Sequence, residues 1–178
     1  METENRIGLV LGGGGARSAY QAGFLRYIAR RLPHFRFSIL SGTSAGAINA
    51  VQLARHRGTF GECLEDLRTL WAGLTMDQVF DANTGSLAGM VARWGLRLIS
   101  GGSSFSPTTR GLVDTNPLRN FLCRETNCLP NGKIPGIEEN ILRGRLHSLA
   151  ITTTDYSTGR SVTWIHGNNT NAWNRTYR

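Results

Sequence analysis

Two rhythms of apolar and polar positions alternate along the first part of the chain. Residues 6–11, Arg-Ile-Gly-Leu-Val-Leu, form a short apolar run that predicts a buried strand. Four glycines follow, Gly12 to Gly15. From Ala16 to about Arg31 the residues Tyr20, Gly23, Phe24, Tyr27 and Ile28 recur at helical spacing, and Pro33 lies just past the end, so a helix is predicted there. Residues 37–41 predict a second buried strand, and residues 45–55 a second helix lined with small side chains. Strand, helix, strand, helix in this compass implies a parallel sheet with covering helices.

The pattern continues with a capping box, Thr59-Phe60-Gly61-Glu62, opening a helix that carries Leu64, Leu67, Leu70, Trp71 and Leu74. Residues 86–99 hold Leu87, Met90, Val91, Trp94 and Leu98 on one helical face, with Arg93 and Arg97 elsewhere. That stretch fits an ordinary core-facing helix, or an interfacial helix that touches lipid or covers a site. A loop is predicted at 101–107 and a short helix from Asn116-Pro117 through Phe121, with proline at its first position. Residues 124–136 predict a loop and 137–143 a short helix. Strands over 146–154 and 160–165 are joined by a hairpin at Ser157-Thr158-Gly159, and a polar tail runs from Gly167.

Composition narrows the class. The chain has 178 residues, enough for one domain with a real core, and no internal repeat, so residues 1–178 are expected to form a single domain. Apolar residues make up 40% and charged residues 18%, as in a soluble globular protein. The net charge is +8, but the arginines are scattered, with only Arg30 and Arg31 adjacent, so no basic stripe marks a nucleic-acid partner. The excess charge suits a solvated surface or contact with an anionic membrane. Three cysteines, Cys63, Cys123 and Cys128, lack both a disulfide framework and zinc spacing and fit a reducing compartment. The acidic, polar start is unlike a signal peptide, and no apolar stretch reaches the ~18 residues of a membrane span, so a cytoplasmic location is expected, with peripheral membrane contact as its variant.

The candidate chemistry lies in Gly42-Thr43-Ser44-Ala45-Gly46. A nucleophilic serine on a sharp strand-to-helix turn needs small neighbours, and Gly42 and Gly46 supply them. Such a turn places the Ser44 hydroxyl at a helix N-terminus, whose partial positive charge favours an alkoxide or an oxyanion. The loop Gly12-Gly13-Gly14-Gly15-Ala16-Arg17 offers backbone N–H groups that approach a ligand without side chains in the way, as an oxyanion requires. About thirty residues separate loop and serine, the length of one crossover, so neighbouring parallel strands would bring both turns to the carboxyl edge of the sheet. Nucleotide binding is the rival for the glycines. Ser18 stands where the third glycine of a dinucleotide motif belongs, no acidic residue follows at the expected distance, and no Gly-Lys-Ser/Thr is present. A plain turn serine is the bland alternative for Ser44.

The two motifs together resemble the patatin-like phospholipase family, in "GLVLGGGGARSAYQAGFL" at 8–25 and "SILSGTSAGAINA" at 38–50, with "VDTNPLRNFL" (113–122) and "LAITTTDYSTGRSV" (149–162) as supporting segments. The resemblance implies an α/β fold of modified α/β-hydrolase type: a parallel-core sheet, helices on both faces, here expected to be incomplete. It implies a lipid acyl hydrolase that uses a Ser–Asp dyad and neither a metal nor another cofactor. Ser44 would be the nucleophile; the amides around Gly13, Gly14 and Gly15 would form the oxyanion hole, with Arg17 as the basic residue usual in that loop. The substrate would be a lipid or phospholipid ester.

Two departures stand out. Ser18 replaces a glycine of the family loop, which puts the local backbone geometry in question. The family's aspartate lies in an Asp-Gly-Gly or Asp-Gly-Ala motif, and this chain contains no Asp-Gly. Asp155 belongs to the hairpin segment and is expected to be a turn residue. The chain is therefore expected to be C-terminally truncated before its general base and inactive by itself, since a serine hydroxyl is weak without a base. A catalytically incomplete lipid-binding or regulatory module is the alternative. A Ser44–Asp155–His166 triad would match the chain order of α/β-hydrolases, if the fold brought those residues together.

Overall fold

A computed structural model describes residues 6–79, 116–155 and 157–168. By contact, the chain divides into residues 1–72 with 126–178, and residues 73–125. In the larger unit β1 is Gly8–Leu11, followed by a 3-10 turn at Gly15–Arg17 and α1 at Ser18–Arg31. Then come β2 (Ile39–Thr43), α2 (Ala45–Arg55) and α3 (Phe60–Gly73). The smaller unit contributes α4 (Met76–Val79) and α5 (Asn116–Glu125), which pack together. Back in the larger unit, α6 (Ile137–Leu142) precedes β3 (Ser148–Asp155) and β4 (Arg160–Gly167). The 86–99 and 101–107 segments and the tail beyond residue 168 lie outside the described residues.

The sheet has the order β1-β2-β3-β4, with the first three strands parallel and β4 antiparallel to β3. Leu9, Leu40 and Leu149 stand side by side across three strands, and Leu11, Gly42 and Ile151 form the next row. Both rows face one core that also takes in Leu25 and Ala29 of α1, Ala50 and Ala54 of α2, Phe60 and Leu64 of α3, and Ile141 of α6. The connections step in one direction across the sheet, and right-handed crossovers then put the helices of this unit on the same side. Within this unit the expected covering helices are met on that one face. The other face carries Val10, which is 81% exposed, with Ile39, Ser41 and Ala150 half-buried.

At the amino edge of the sheet, the rings of Phe35, Phe37 and Phe60 meet edge to face, with centroids 4.8 to 6.4 Å apart. The predicted capping box forms: Glu62 N–H donates to Thr59 Oγ1 at 3.2 Å, and Thr59 N–H donates to Glu62 Oε2 at 2.7 Å. The end of α2 is capped from far along the chain. Buried Asn140 donates from Nδ2 to the carbonyls of Ala54 (2.8 Å) and His56 (2.9 Å). These acceptors would otherwise be orphaned at the helix end. The small helix α6 thus fixes one end of α2, and the other end begins at Ser44.

His56 closes α2 and is 3.4 Å from Asp66. Burial pulls its pKa below the ordinary 6.5, against the opposing effects of Asp66 and Glu62. The fold therefore favours neutral imidazole. Its contribution is complete above the unfolded value and is lost as pH falls through the lower folded value. Urea midpoints for the native chain are expected to fall between about pH 7.5 and pH 5, and His56→Gln is expected to reduce that fall.

Candidate active site

The site is built where β1 and β2 end. β2 runs into Ser44, and α2 starts at the next residue. Ser44 adopts φ 54° and ψ −131°, a conformation that costs a non-glycine residue roughly 1–3 kcal/mol. It occupies the N-cap position of α2, yet its hydroxyl makes no capping hydrogen bond. Serine at an N-cap ordinarily has an extended backbone and spends its oxygen on the helix amides. Here the backbone is turned the other way and the residue is exposed. This is the sharp strand-to-helix turn that presents a side chain at the top of a sheet.

The neighbouring glycines make the turn possible by lacking a Cβ. At Gly42 a Cβ would fall 2.6 Å from Ala47 Cα and 2.7 Å from the Gly46 carbonyl oxygen. At Gly46 it would drive into the carbonyl oxygens of Leu11 and Gly12. Gly46 therefore sits directly against the end of β1, and this contact brings the two turns together. Gly13 completes the approach: a Cβ there would lie 3.0 Å from Ser44 Cβ and 3.6 Å from Ser44 Oγ. The glycine loop and the serine thus converge at the same carboxyl edge.

The rest of the loop is anchored by polar contacts. Gln21 donates from Nε2 to the Gly12 carbonyl at 2.9 Å, and Arg17 N–H donates to the Gly14 carbonyl at 3.2 Å. Gly15 takes φ 55°, a left-handed turn natural to glycine. Exposed Arg17 ends the 3-10 turn, its side chain beside Gly14. Ser18 adopts φ −69°, open to any L-residue, so its replacement of the family glycine strains nothing. Its carbonyl accepts from Asn49 Nδ2 at 3.0 Å.

Asn49 is fully buried and links three elements. Its amide also donates to Gln21 Oε1 at 3.0 Å, and its Oδ1 accepts from the Trp71 indole at 2.7 Å. A chain of hydrogen bonds therefore runs from α3 through Asn49 and Gln21 to the Gly12 carbonyl. Sequence reasoning placed Trp71 on its helix but gave neither it nor Gln21 and Asn49 a part in the site. The available signal was an asparagine within an otherwise small and apolar helix.

The possible triad is not assembled. Asp155 pairs in register with Arg160, whereas His166 pairs with Leu149, six residues back along β3. At ~3.3 Å per residue the two stand about 20 Å apart along the hairpin. Both Asp155 oxygens are engaged, Oδ1 by the Ser157 amide and Oδ2 by the Thr158 hydroxyl, each at 2.8 Å. These bonds hold its pKa below the ordinary 3.8. Asp155 serves the turn.

A family model described as patatin-like phospholipase matches residues 9–175. The chain belongs to the patatin-like phospholipase family. No curated protein and no solved structure matched it. The patatin match spans both turns and the β3–β4 hairpin, in keeping with the α/β sheet described above. Among the described residues, no helix is long and apolar enough to cross a membrane.

Gly46→Ala is expected to destabilise the protein by about 3 kcal/mol or more, since backbone meets backbone. Gly23→Ala, with open space around it in α1, is expected to stabilise it by up to ~1 kcal/mol; thermal melts of both variants check the pair. Asn49→Ala leaves the Trp71 indole and the Ser18 carbonyl without this partner. A loss of about 2–4 kcal/mol is expected in urea unfolding.

Proposed function

We propose that this patatin-family protein is a serine-dependent lipid acyl hydrolase, a phospholipase or esterase. The observation that carries the reading is Gly13 packed against an exposed, uncapped Ser44 in a strained turn. Ser44 Oγ attacks the ester carbonyl, and a C–O bond forms as the hydroxyl proton passes to a base. The negative charge that develops on the carbonyl oxygen is met by amides of the Gly13–Gly15 loop and by the positive N-terminus of α2, with Arg17 adding its field nearby. Collapse expels the alcohol, which takes the proton, and leaves an acyl group on Ser44. Water then attacks by the same route and releases the fatty acid. No metal takes part in this scheme.

The base in this reading is an aspartate of an Asp-Gly sequence, which the 178 residues do not contain. Hydrolysis by this chain alone is accordingly expected to be slower, by a factor on the order of 10²–10⁴, than with the base supplied. Fluorophosphonate labelling of a folded, longer chain that carries the Asp-Gly base tests the nucleophile more directly, because it reports the covalent step. The expected adduct maps to Ser44 by mass spectrometry and disappears in Ser44→Ala. Equal labelling of Ser44→Ala, or an adduct elsewhere, would remove Ser44 from the mechanism and favour a lipid-binding module.

A further inference from the structure

The buried face of α1 is made by Ser18, Ala22, Leu25 and Ala29. The aromatic residues that carry its helical signal are on the other side: Tyr20 is 80% exposed, Phe24 57% and Tyr27 57%. They fall at positions 20, 24 and 27, and the same stripe continues to Arg31 at one end and Arg17 at the other. The spacing of three and four makes these residues neighbours along one helix face, about 20 Å long at 1.5 Å per residue. The Arg31 guanidinium lies over the Tyr27 ring, 5.4 Å from its centroid. Exposed Arg30 adjoins it, and Arg26 is paired with Glu65. The segment Ser18–Arg31 contains no acidic residue.

Three exposed aromatic rings in one row are more apolar surface than single scattered residues account for. Tyrosine and phenylalanine with flanking arginines match the interface of a bilayer, where rings sit at headgroup depth and cations meet anionic lipid. A second copy of the chain is the competing occupant. Antiparallel pairing of two such stripes would bring Arg17 of one against Arg31 of the other, and parallel pairing would stack each arginine on itself. Charge thus opposes self-association and favours an anionic surface. The stripe also begins beside the glycine loop, at the edge that carries Ser44.

We propose that the outer face of α1, Arg17-Tyr20-Phe24-Tyr27-Arg31, docks the protein on an anionic lipid surface and brings the Ser44 edge to the esters there. The purpose of the docking rests on the hydrolase reading; the docking itself does not. Flotation of the 178-residue chain with phosphatidylglycerol/phosphatidylcholine vesicles tests it. The chain is expected to float with anionic vesicles and not with pure phosphatidylcholine, and to be released at about 0.5 M salt. Arg31→Gln is expected to weaken binding about fivefold, and Phe24→Ser/Tyr27→Ser by tenfold or more. Should the double variant lose its cooperative melt, Phe24→Trp supplies the readout, the emission of the introduced indole being quenched by brominated anionic lipid. Absence of wild-type flotation, undiminished flotation of a folded double variant, or unquenched emission from the Phe24→Trp variant would overturn the proposal. So would a dimer of the wild type that the double variant abolishes while vesicle binding stays absent. Flotation of the 178-residue chain, with no fluorophosphonate labelling of Ser44 in a folded, longer chain that carries the Asp-Gly base, would uphold the docking surface and count against the hydrolase reading alone.

Discussion

The close approach of Gly46 to the end of β1 is the contact on which the rest of the site depends. A helix start cannot normally press on the carbonyls of a neighbouring strand, because a Cβ would occupy the space. With hydrogen there instead, α2 begins immediately behind β1, and Gly13 comes to rest on Ser44. The strain at Ser44 is sustained by the same packing. β2 pairs on both sides, α2 is held at its far end by Asn140, and the turn between them has little freedom to relax.

Polar groups then fix what the glycines leave loose. A glycine loop is conformationally permissive, and its carbonyls need partners to hold one arrangement. Gln21 takes the Gly12 carbonyl, and Asn49 holds Gln21 and the Ser18 carbonyl while it accepts from Trp71. Three helices therefore bear on the loop. Asn49 at its centre is buried, and both its amide groups are matched, the condition under which such networks specify one geometry.

Much of this was legible in the sequence. Glycines flanking Ser44 and the run of four glycines mark turns by their steric simplicity, and the crossover length between them implies one sheet edge. The helix over residues 45–55 and the capping box at Thr59 carry unambiguous local signals. What was hidden depends on distant partners. Nothing near Asn140 announces that it caps a helix more than eighty positions earlier. The aromatic spacing in α1 marks a helix but not its orientation. Small side chains at Ser18, Ala22 and Ala29 let the backbone come close to its neighbours, so the slimmer face turned inward and the bulky one outward. The ends of strands moved by one or two residues because pairing, not hydropathy, decides where a ladder stops.

The parallel pairing of β2 has a consequence for biosynthesis. Its first neighbour, β1, lies about thirty residues upstream, while Ile39 meets Ser148 only after more than a hundred further residues have been made. The strand that presents the serine leaves the ribosome with one flank covered and waits for the other, and closing so long a loop is entropically slow. The strained turn at Ser44 is therefore assembled late. A nascent chain arrested before residue 148 holds the Ser44 sequence without the sheet that forces it into its strained shape.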